Sequence, residues 1–162
     1  MLASGIALGV LAGLALGGRL GRLAELRIAW WPLLAVAVAL RLAAPALGDL
    51  AAAGYVLAFA AIVVIAAVDR TLPGMTAIAI GATANLVVVA ANGGMPVDAA
   101  AIAAAGASMP SDRLHIPLDA STRLAALADF IPVPVIRGVY SPGDVLLAVG
   151  GFWLPFTWLR RP

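Results

Sequence analysis

The chain has 162 residues, of which 64% are hydrophobic and 11% are charged, and its formal net charge is +2. The charged fraction lies far below the roughly 25% that is typical of soluble domains, and the mean hydropathy is +1.07. The sequence contains no cysteine, which excludes disulfides, thiolate metal sites and cysteine nucleophiles. We therefore predict a single membrane domain that covers residues 1–162.

Five apolar segments run along the chain, each about as long as the roughly 20 helical residues that cross a bilayer core. They cover residues 2–18, 28–47, 50–68, 75–91 and 142–159. Between the fourth and the fifth lies segment 92–141, which we expect to be external and structured, with two short interfacial helices. The predicted fold is all-α, a polytopic integral membrane helix bundle of about five transmembrane helices.

The arginines predict how this bundle is oriented. Six of the ten fall on one side of it: Arg19, Arg22, Arg27, Arg70, Arg160 and Arg161. The positive-inside bias makes that side cytoplasmic, with the N-terminus and segment 92–141 outside and the C-terminus cytoplasmic. Abundant alanine and the lack of lysine point to a GC-rich bacterial genome, so we expect the bacterial cytoplasmic (inner) membrane. The arginines form no patch, and no nucleic-acid partner is expected.

The first apolar segment carries a glycine at every fourth position. Gly5, Gly9, Gly13 and Gly17 share one helix face, which another helix can approach closely. Packing within the chain is the favoured interpretation, and the alternative is contact with a second copy or another membrane protein. A cleaved signal peptide is the alternative for the whole segment, although no basic residue precedes the apolar run.

Arg41 lies inside the second segment, near its predicted outer end. A charge at this depth costs about 2–3 kcal/mol unless it reaches the headgroups or finds a partner. The favoured interpretation is that Arg41 reaches the headgroups. The alternative is an ion pair with Asp129 or Asp144, which would mark a functional site.

The fourth segment contains Asn85 and ends in Asn92-Gly93-Gly94. An amide in the middle of a membrane helix is costly unless it is paired, so Asn85 is expected to hydrogen-bond a neighbouring helix. The two glycines can adopt positive φ and end the helix. Alternatively, N–H groups exposed there would line a site for an anion or a peptide carbonyl.

Segment 92–141 is predicted to begin with a short helix over 99–105, capped by Asp98 and closed by Gly106. A second short helix is expected from Asp119 or Ser121 to about Asp129. The only histidine, His115, is expected to be hydrogen-bonded at the interface, since a metal site needs more ligands than this stretch supplies. No metal and no cofactor are predicted.

The densest group of candidate residues joins Asp129 to the start of the last segment, where Asp144 follows 15 residues later. Two carboxylates brought together would share one proton, an arrangement that activates water for peptide hydrolysis. The alternative for Asp144 is a capping box, with Ser141 as N-cap and Pro142 as the first helical residue. Asp129 has no such structural explanation in the sequence.

Three motifs carry a resemblance that extends over the whole chain: Asn92-Gly-Gly-Met-Pro-Val, Asp129-Phe-Ile-Pro, and Tyr140-Ser-Pro-Gly-Asp-Val-Leu-Leu-Ala-Val-Gly. In length, span count and motif order, the chain resembles an uncharacterised family of small bacterial polytopic membrane proteins, classed as domain of unknown function 5317. This resemblance implies membership and supplies no activity.

Ala128-Asp-Phe-Ile and Tyr140-Ser-Pro-Gly-Asp are also similar to the two aspartate motifs of signal peptidase II, a lipoprotein peptidase with four spans. That resemblance implies a catalytic dyad of Asp129 and Asp144, with the segments around Asn85 and Asn92-Gly93 corresponding to polar motifs of that family. Its Asp-x-x-Thr-Lys and Asn-x-x-Asp-Arg motifs do not occur in this chain.

The sequence therefore predicts an integral membrane protein of unknown activity that serves as a scaffold or accessory subunit. A membrane-embedded aspartyl peptidase is the first alternative, and a small-solute or lipid-handling protein is the second. The scarcity of charge within the apolar segments argues against an ion or proton pathway.

Overall fold

The computed structural model describes residues 1–161 and is mostly helical, as predicted. Its α-helices are α1 (Leu2–Ala15), α2 (Trp31–Ala43), α3 (Ala51–Val68), α4 (Met75–Asn92), α5 (Ala99–Ala105) and α6 (Pro142–Leu159). Short 3₁₀ segments cover Leu20–Glu25, Ala44–Leu50, Ala125–Leu127 and Pro134–Ile136. The strands are β1 (Met95–Val97), β2 (His115–Pro117), β3 (Ile131–Val133) and β4 (Gly138–Tyr140).

Within residues 1–161, two helices are long and apolar enough to cross a membrane, Ala46–Val68 and Met75–Asn92. The prediction of five transmembrane helices is not confirmed. Segment 2–18 contains 14 helical residues. The helix ends at Ala15, and the positive φ of Gly17 (88°) turns the chain away from the helical path. Segment 28–47 yields 13, because the chain passes into a 3₁₀ segment that bends at Gly48 (φ 56°, ψ −120°).

The four strands correct the all-α prediction for the segment between α4 and α6. β1 pairs in parallel with β2, β3 pairs antiparallel with β4, and a bridge joins Val97 to Asp129. Each strand has three residues, too few for an alternating pattern to be visible in the sequence. Proline in β1, β2 and β3 also removes backbone donors, which suits only short or edge pairing.

The first of the two predicted short helices is confirmed as α5, with Asp98 accepting a 3.0 Å hydrogen bond from the N–H of Ala100 and Gly106 (φ 61°) ending it. Its interfacial location stays a prediction. The second is wrong, since only Ala125–Leu127 forms a 3₁₀ turn. Asp119 instead accepts hydrogen bonds from the N–H and hydroxyl of Ser121, and this local turn competes with helix formation.

The bundle is held by α1 against α6, α3 against α4, α4 against α6 and α2 against α3. Gly5, Gly9 and Gly13 are buried, and a Cβ on Gly9 would overlap the backbone of Phe152 in α6. For these three glycines, packing within the chain is confirmed. Gly17 has open space around it. Self-association through the same face stays a prediction.

Candidate functional site

The site lies where α6 begins, and its first part is the predicted capping box. Ser141 Oγ accepts a 3.0 Å hydrogen bond from the N–H of Asp144, and the N–H of Ser141 donates to Asp144 Oδ2 at 3.5 Å. Pro142 occupies the first turn, where its missing N–H costs nothing. The capping interpretation of Asp144 is therefore confirmed.

Asn85 of α4 completes the same hydrogen-bond network. Its Nδ2 donates to Asp144 Oδ1 at 3.1 Å, and its Oδ1 accepts from Ser141 Oγ at 2.9 Å. Asn85 is 1% exposed and Ser141 is fully buried. The prediction that Asn85 bonds a neighbouring helix is confirmed, and we name Asn85, Ser141 and Asp144 the α4–α6 latch.

Glycine lets the two helices come close enough for this latch to form. A Cβ on Gly81 of α4 would lie 2.5 Å from the carbonyl oxygen of Gly143, and a Cβ on Gly143 would overlap Asn85 Oδ1. The contact leaves no space for a methyl group on either glycine. Neither glycine was a predicted site residue, although both flank the motifs that were.

Asp129 is fixed by its backbone and unpaired at its side chain. Its N–H donates to the carbonyl of Pro96 at 2.9 Å, and its own carbonyl accepts from the N–H of Asp98 at 2.9 Å. The residue is 6% exposed, and its Oδ1 is buried without a hydrogen-bond partner in the described part of the chain. The folded backbone thus holds an unsatisfied carboxyl group beside α6.

The environment of Asp129 favours its protonated form. Burial raises the pKa of Asp129 to about 8, the negative charge of Asp144 adds to this effect, and the positive charge of Arg41 opposes it. Within residues 1–161, no hydrogen bond joins the two carboxyl groups. They are neighbours that influence each other through space, and Asp129 is mostly protonated at neutral pH.

Arg41 approaches the site without pairing with a carboxylate. Its guanidinium lies over the ring of Tyr55 in α3, 4.2 Å from the centroid, and its side chain is exposed. Among the described residues no carboxylate lies within ion-pair distance of Arg41. The ion-pair alternative with Asp129 or Asp144 is therefore wrong, because the Tyr55 ring takes up the cation instead.

A cavity of about 160 Å³ opens beside Asp129, between α5 and the β3–β4 hairpin. Its polar lining comes from Asp129, Ser108, His115, Arg137 and Tyr140. The remaining lining is largely aliphatic and includes Val97, Ile102 and Val139. No pattern in the sequence predicted this cavity, because its walls come from segments that are distant along the chain.

His115 is held in place by Asp112, in line with the predicted hydrogen-bonded histidine. The ring Nδ1 lies 2.8 Å from Asp112 Oδ1, which also accepts from the N–H groups of His115 (2.9 Å) and Leu114 (3.1 Å). Although burial raises the pKa of Asp112, these hydrogen bonds outweigh it and hold that pKa below its ordinary value. The ring is thus oriented with one nitrogen engaged outside the cavity.

Asn92, Gly93 and Gly94 support the segment between α4 and α6. Asn92 donates to the carbonyl of Arg123 at 2.9 Å and accepts from its N–H at 2.9 Å. Gly93 (φ 69°) ends α4 as predicted, and a Cβ on Gly94 would lie 2.6 Å from the carbonyl oxygen of Leu114. The three residues fasten the segment to α4, and an anion or carbonyl site there stays a prediction.

Comparison with known proteins identifies a family and no activity. No curated protein and no solved structure matches the chain significantly, and no finding supports the resemblance to signal peptidase II. The sequence model of a family of unknown function (DUF5317) matches residues 25–156, which is most of the chain. The protein therefore belongs to this family of unknown function.

Proposed function

We propose that the protein is an integral membrane protein of the bacterial cytoplasmic membrane that acts as a scaffold or accessory subunit, with the lipid bilayer as its surroundings. Two long apolar helices support the membrane location. Large apolar side chains also point away from the bundle on several helices, among them Leu11 (64% exposed), Leu57 (59%) and Ile80 (55%). Exposure of many large apolar side chains is unfavourable in water and suits lipid.

The proposed orientation has the N-terminus and segment 92–141 outside and the C-terminus in the cytoplasm, because six arginines mark the cytoplasmic side. A reporter that is active only in the exterior compartment should be inactive when fused after Pro162 and active when fused ahead of Met1. The opposite pattern would reverse the orientation. Release of the protein from membranes by alkaline carbonate would contradict the membrane location itself.

The scaffold role is supported by the hydrogen bonds of Asp144, because both of its carboxylate oxygens accept hydrogen bonds from within the chain. Asn85 donates to one of its carboxylate oxygens and the Ser141 N–H to the other. The two carboxyl groups of an aspartyl dyad lie close enough to share one proton, whereas no hydrogen bond joins Asp129 to Asp144 within residues 1–161. Asp144 instead joins α4 to α6, which is the work of a structural residue.

The scaffold proposal is tested by comparing Asp144→Asn with Asp144→Ala. An amide oxygen at position 144 can still accept from Asn85, so Asp144→Asn should retain the proteins that copurify with the tagged chain from native membranes. Asp144→Ala should lose them in proportion to its loss of folded protein. Full loss of these partners in Asp144→Asn, with folding intact, would contradict a purely structural role for this carboxylate.

An aspartyl peptidase is the second candidate, because Asp129 has an unpaired carboxyl oxygen and a raised pKa next to a second carboxylate. A protonated and an ionised aspartic acid side by side are the acid and base of that chemistry. Under this candidate, Asp129→Asn and Asp144→Asn would both trap an uncleaved protein that is missing from wild-type preparations. If neither variant traps such a protein, the peptidase candidate is excluded.

A further inference from the structure

The cavity beside Asp129 has the composition of a small-molecule site. One face offers a carboxyl group that is 6% exposed and has an unpaired oxygen, and the other is built from aliphatic side chains. Pockets of this type bind through apolar contact and use a few polar groups to orient the ligand. The Asp129 side chain lines the cavity and makes no hydrogen bond within residues 1–161, so its carboxyl group calls for a ligand that brings a hydrogen-bond donor.

Size limits the ligand to a short molecule or the end of a longer one. The cavity volume is about 160 Å³, close to the roughly 150 Å³ of an engineered protein cavity that holds benzene. A ligand part of about six non-hydrogen atoms therefore fits. A chain of two or three carbons that ends in a polar group meets this limit and can lie against Val97, Ile102 and Val139.

We propose that this cavity binds a primary ammonium group, which donates to the Asp129 carboxyl group while its carbon chain packs on the aliphatic side chains. A primary ammonium has three N–H donors, which a quaternary ammonium lacks. Quaternary ammonium sites are instead formed by several aromatic rings. Tyr140 is the one aromatic residue among those that line this cavity.

An ionised Asp129 attracts a cationic ligand more strongly than a neutral one, whereas Arg137 in the cavity wall opposes a cation. Asp144 at the start of α6 disfavours the ionised form of Asp129, and Arg41 of α2 opposes that effect only partly. The remaining titratable neighbours are His115, Arg137 and Tyr140 in the cavity wall and Tyr55 of α3. A cation placed in the cavity beside the Asp129 carboxyl group stabilises its ionised form directly, and binding then releases the proton of Asp129.

A primary ammonium can come from a free short amine or from the ethanolamine headgroup of a phospholipid. The exposed Arg137 lines the same cavity and can bind a lipid phosphate. Beside it, at the tip of the β3–β4 hairpin, Val135 is 93% exposed and Ile136 is 53% exposed, as expected for side chains that reach lipid. The lipid source rests on the proposed membrane location, whereas the free-amine source does not.

The experiment titrates the full chain, in maltoside micelles free of amines, with n-propylammonium chloride. Binding is followed by the ¹³C shift of the Asp129 carboxyl group and by calorimetry. We expect binding that strengthens between about pH 6 and about pH 9, with proton release. The neutral n-propanol and the quaternary tetramethylammonium should each bind at least about tenfold more weakly.

Asp129→Asn tests the assignment, because its amide imitates the protonated acid in size and leaves the fold intact, which its melting temperature verifies. This variant should weaken propylammonium binding by about tenfold or more. Asp49→Asn, at an exposed aspartate that does not line the cavity, is the matched control and should bind like the wild type. Equal binding by n-propanol, equal binding by folded Asp129→Asn, or no binding by the wild type overturns the proposal.

The source of the ammonium is resolved with lipid nanodiscs that contain either phosphatidylethanolamine or phosphatidylcholine. A shift of the Asp129 signal only with phosphatidylethanolamine, reduced by Arg137→Met, identifies the headgroup as the ligand. A response to propylammonium without a response to phosphatidylethanolamine identifies a free amine. These measurements do not depend on copurifying partners. The ammonium-binding proposal can therefore be contradicted while the scaffold proposal stands.

Discussion

The α4–α6 latch and the Asp129 cavity lie side by side, and they differ in how their polar groups are satisfied. In the latch, Asn85, Ser141 and Asp144 satisfy one another within the chain. In the cavity, Asp129 Oδ1 is buried and has no partner within residues 1–161. The first arrangement stabilises the helix bundle, and the second keeps a carboxyl group free to bind a proton or a ligand.

This difference separates two aspartates that look equivalent in the sequence. Both lie within three residues of a proline, and both were candidates for one catalytic pair. A buried acceptor that stays unpaired costs about 1–3 kcal/mol, so folding gains nothing from the unpaired oxygen of Asp129. Function is the better explanation for Asp129, and helix packing is the better explanation for Asp144.

The largest effect is expected from the charge state of Asp129. Burial, with the charge of Asp144, raises the pKa of Asp129 to about 8 from 3.8. Asp129 therefore contributes most to folding stability below about pH 4, and its contribution to the free energy of unfolding should fall by on the order of 3–5 kcal/mol as the pH rises to about 8. Unfolding titrations in detergent across this range measure the fall.

Asp129→Asn should flatten that pH dependence, because an amide does not ionise. Its free energy of unfolding at pH 8 should exceed that of the wild type. Asp49→Asn, at an exposed position, should keep the wild-type slope. A wild-type protein that gains stability between about pH 4 and about pH 8 would show that Asp129 is ionised in the folded state.

The next largest effect is expected when an added methyl group forces the latch apart. Gly143→Ala places a methyl group on Asn85 Oδ1, so α4 and α6 must separate and the bundle should lose about 1–3 kcal/mol. Gly21→Ala is the matched control, since nothing lies within 4 Å of a Cβ at that position. Denaturant unfolding of both variants makes the comparison. Equal stability of the two would show that the helices tolerate separation.

Removing the carboxylate of the latch should have a smaller effect. Asp144→Ala leaves Asn85 Nδ2 without an acceptor and removes the capping-box carboxylate, for a loss of about 0.5–2 kcal/mol. Asp144→Asn keeps an acceptor oxygen and should cost little. The two variants differ only at this group, so their melting temperatures separate the charge from the hydrogen bond. If Asp144→Asn is as unstable as Asp144→Ala, the negative charge itself is essential.

The sequence predicted the parts of this site that depend on neighbours along the chain. Ser141, Pro142 and Asp144 form a capping box because the three positions are close in sequence, and Asp98 caps α5 for the same reason. The partner of Asn85 was predicted only as a neighbouring helix. Its identity depends on the register of α4 against α6, which Gly81 sets.

The cavity escaped prediction because it depends on contacts between distant segments. Its walls bring Ile102 of α5 next to His115 of β2 and Val139 of β4, and strands of three residues leave no periodic pattern in the sequence. The positive φ of Leu124 (56°), which stops the second predicted helix, is equally unexpected for that residue type. Long-range contacts, rather than local propensity, decide the geometry around Asp129.

The smallest expected effects are shifts in the pKa of Asp129 caused by its two charged neighbours. Asp144→Asn removes a negative charge and should lower that pKa, whereas Arg41→Met removes a positive charge and should raise it. Each shift should stay below about one pKa unit, equivalent to about 1.4 kcal/mol. A ¹³C titration of the labelled carboxyl group resolves shifts of this size. A lower pKa of Asp129 in Asp144→Asn and a higher one in Arg41→Met would confirm that the latch acts on the cavity through its charge. An unchanged pKa in Asp144→Asn would show that the latch and the cavity are electrostatically independent.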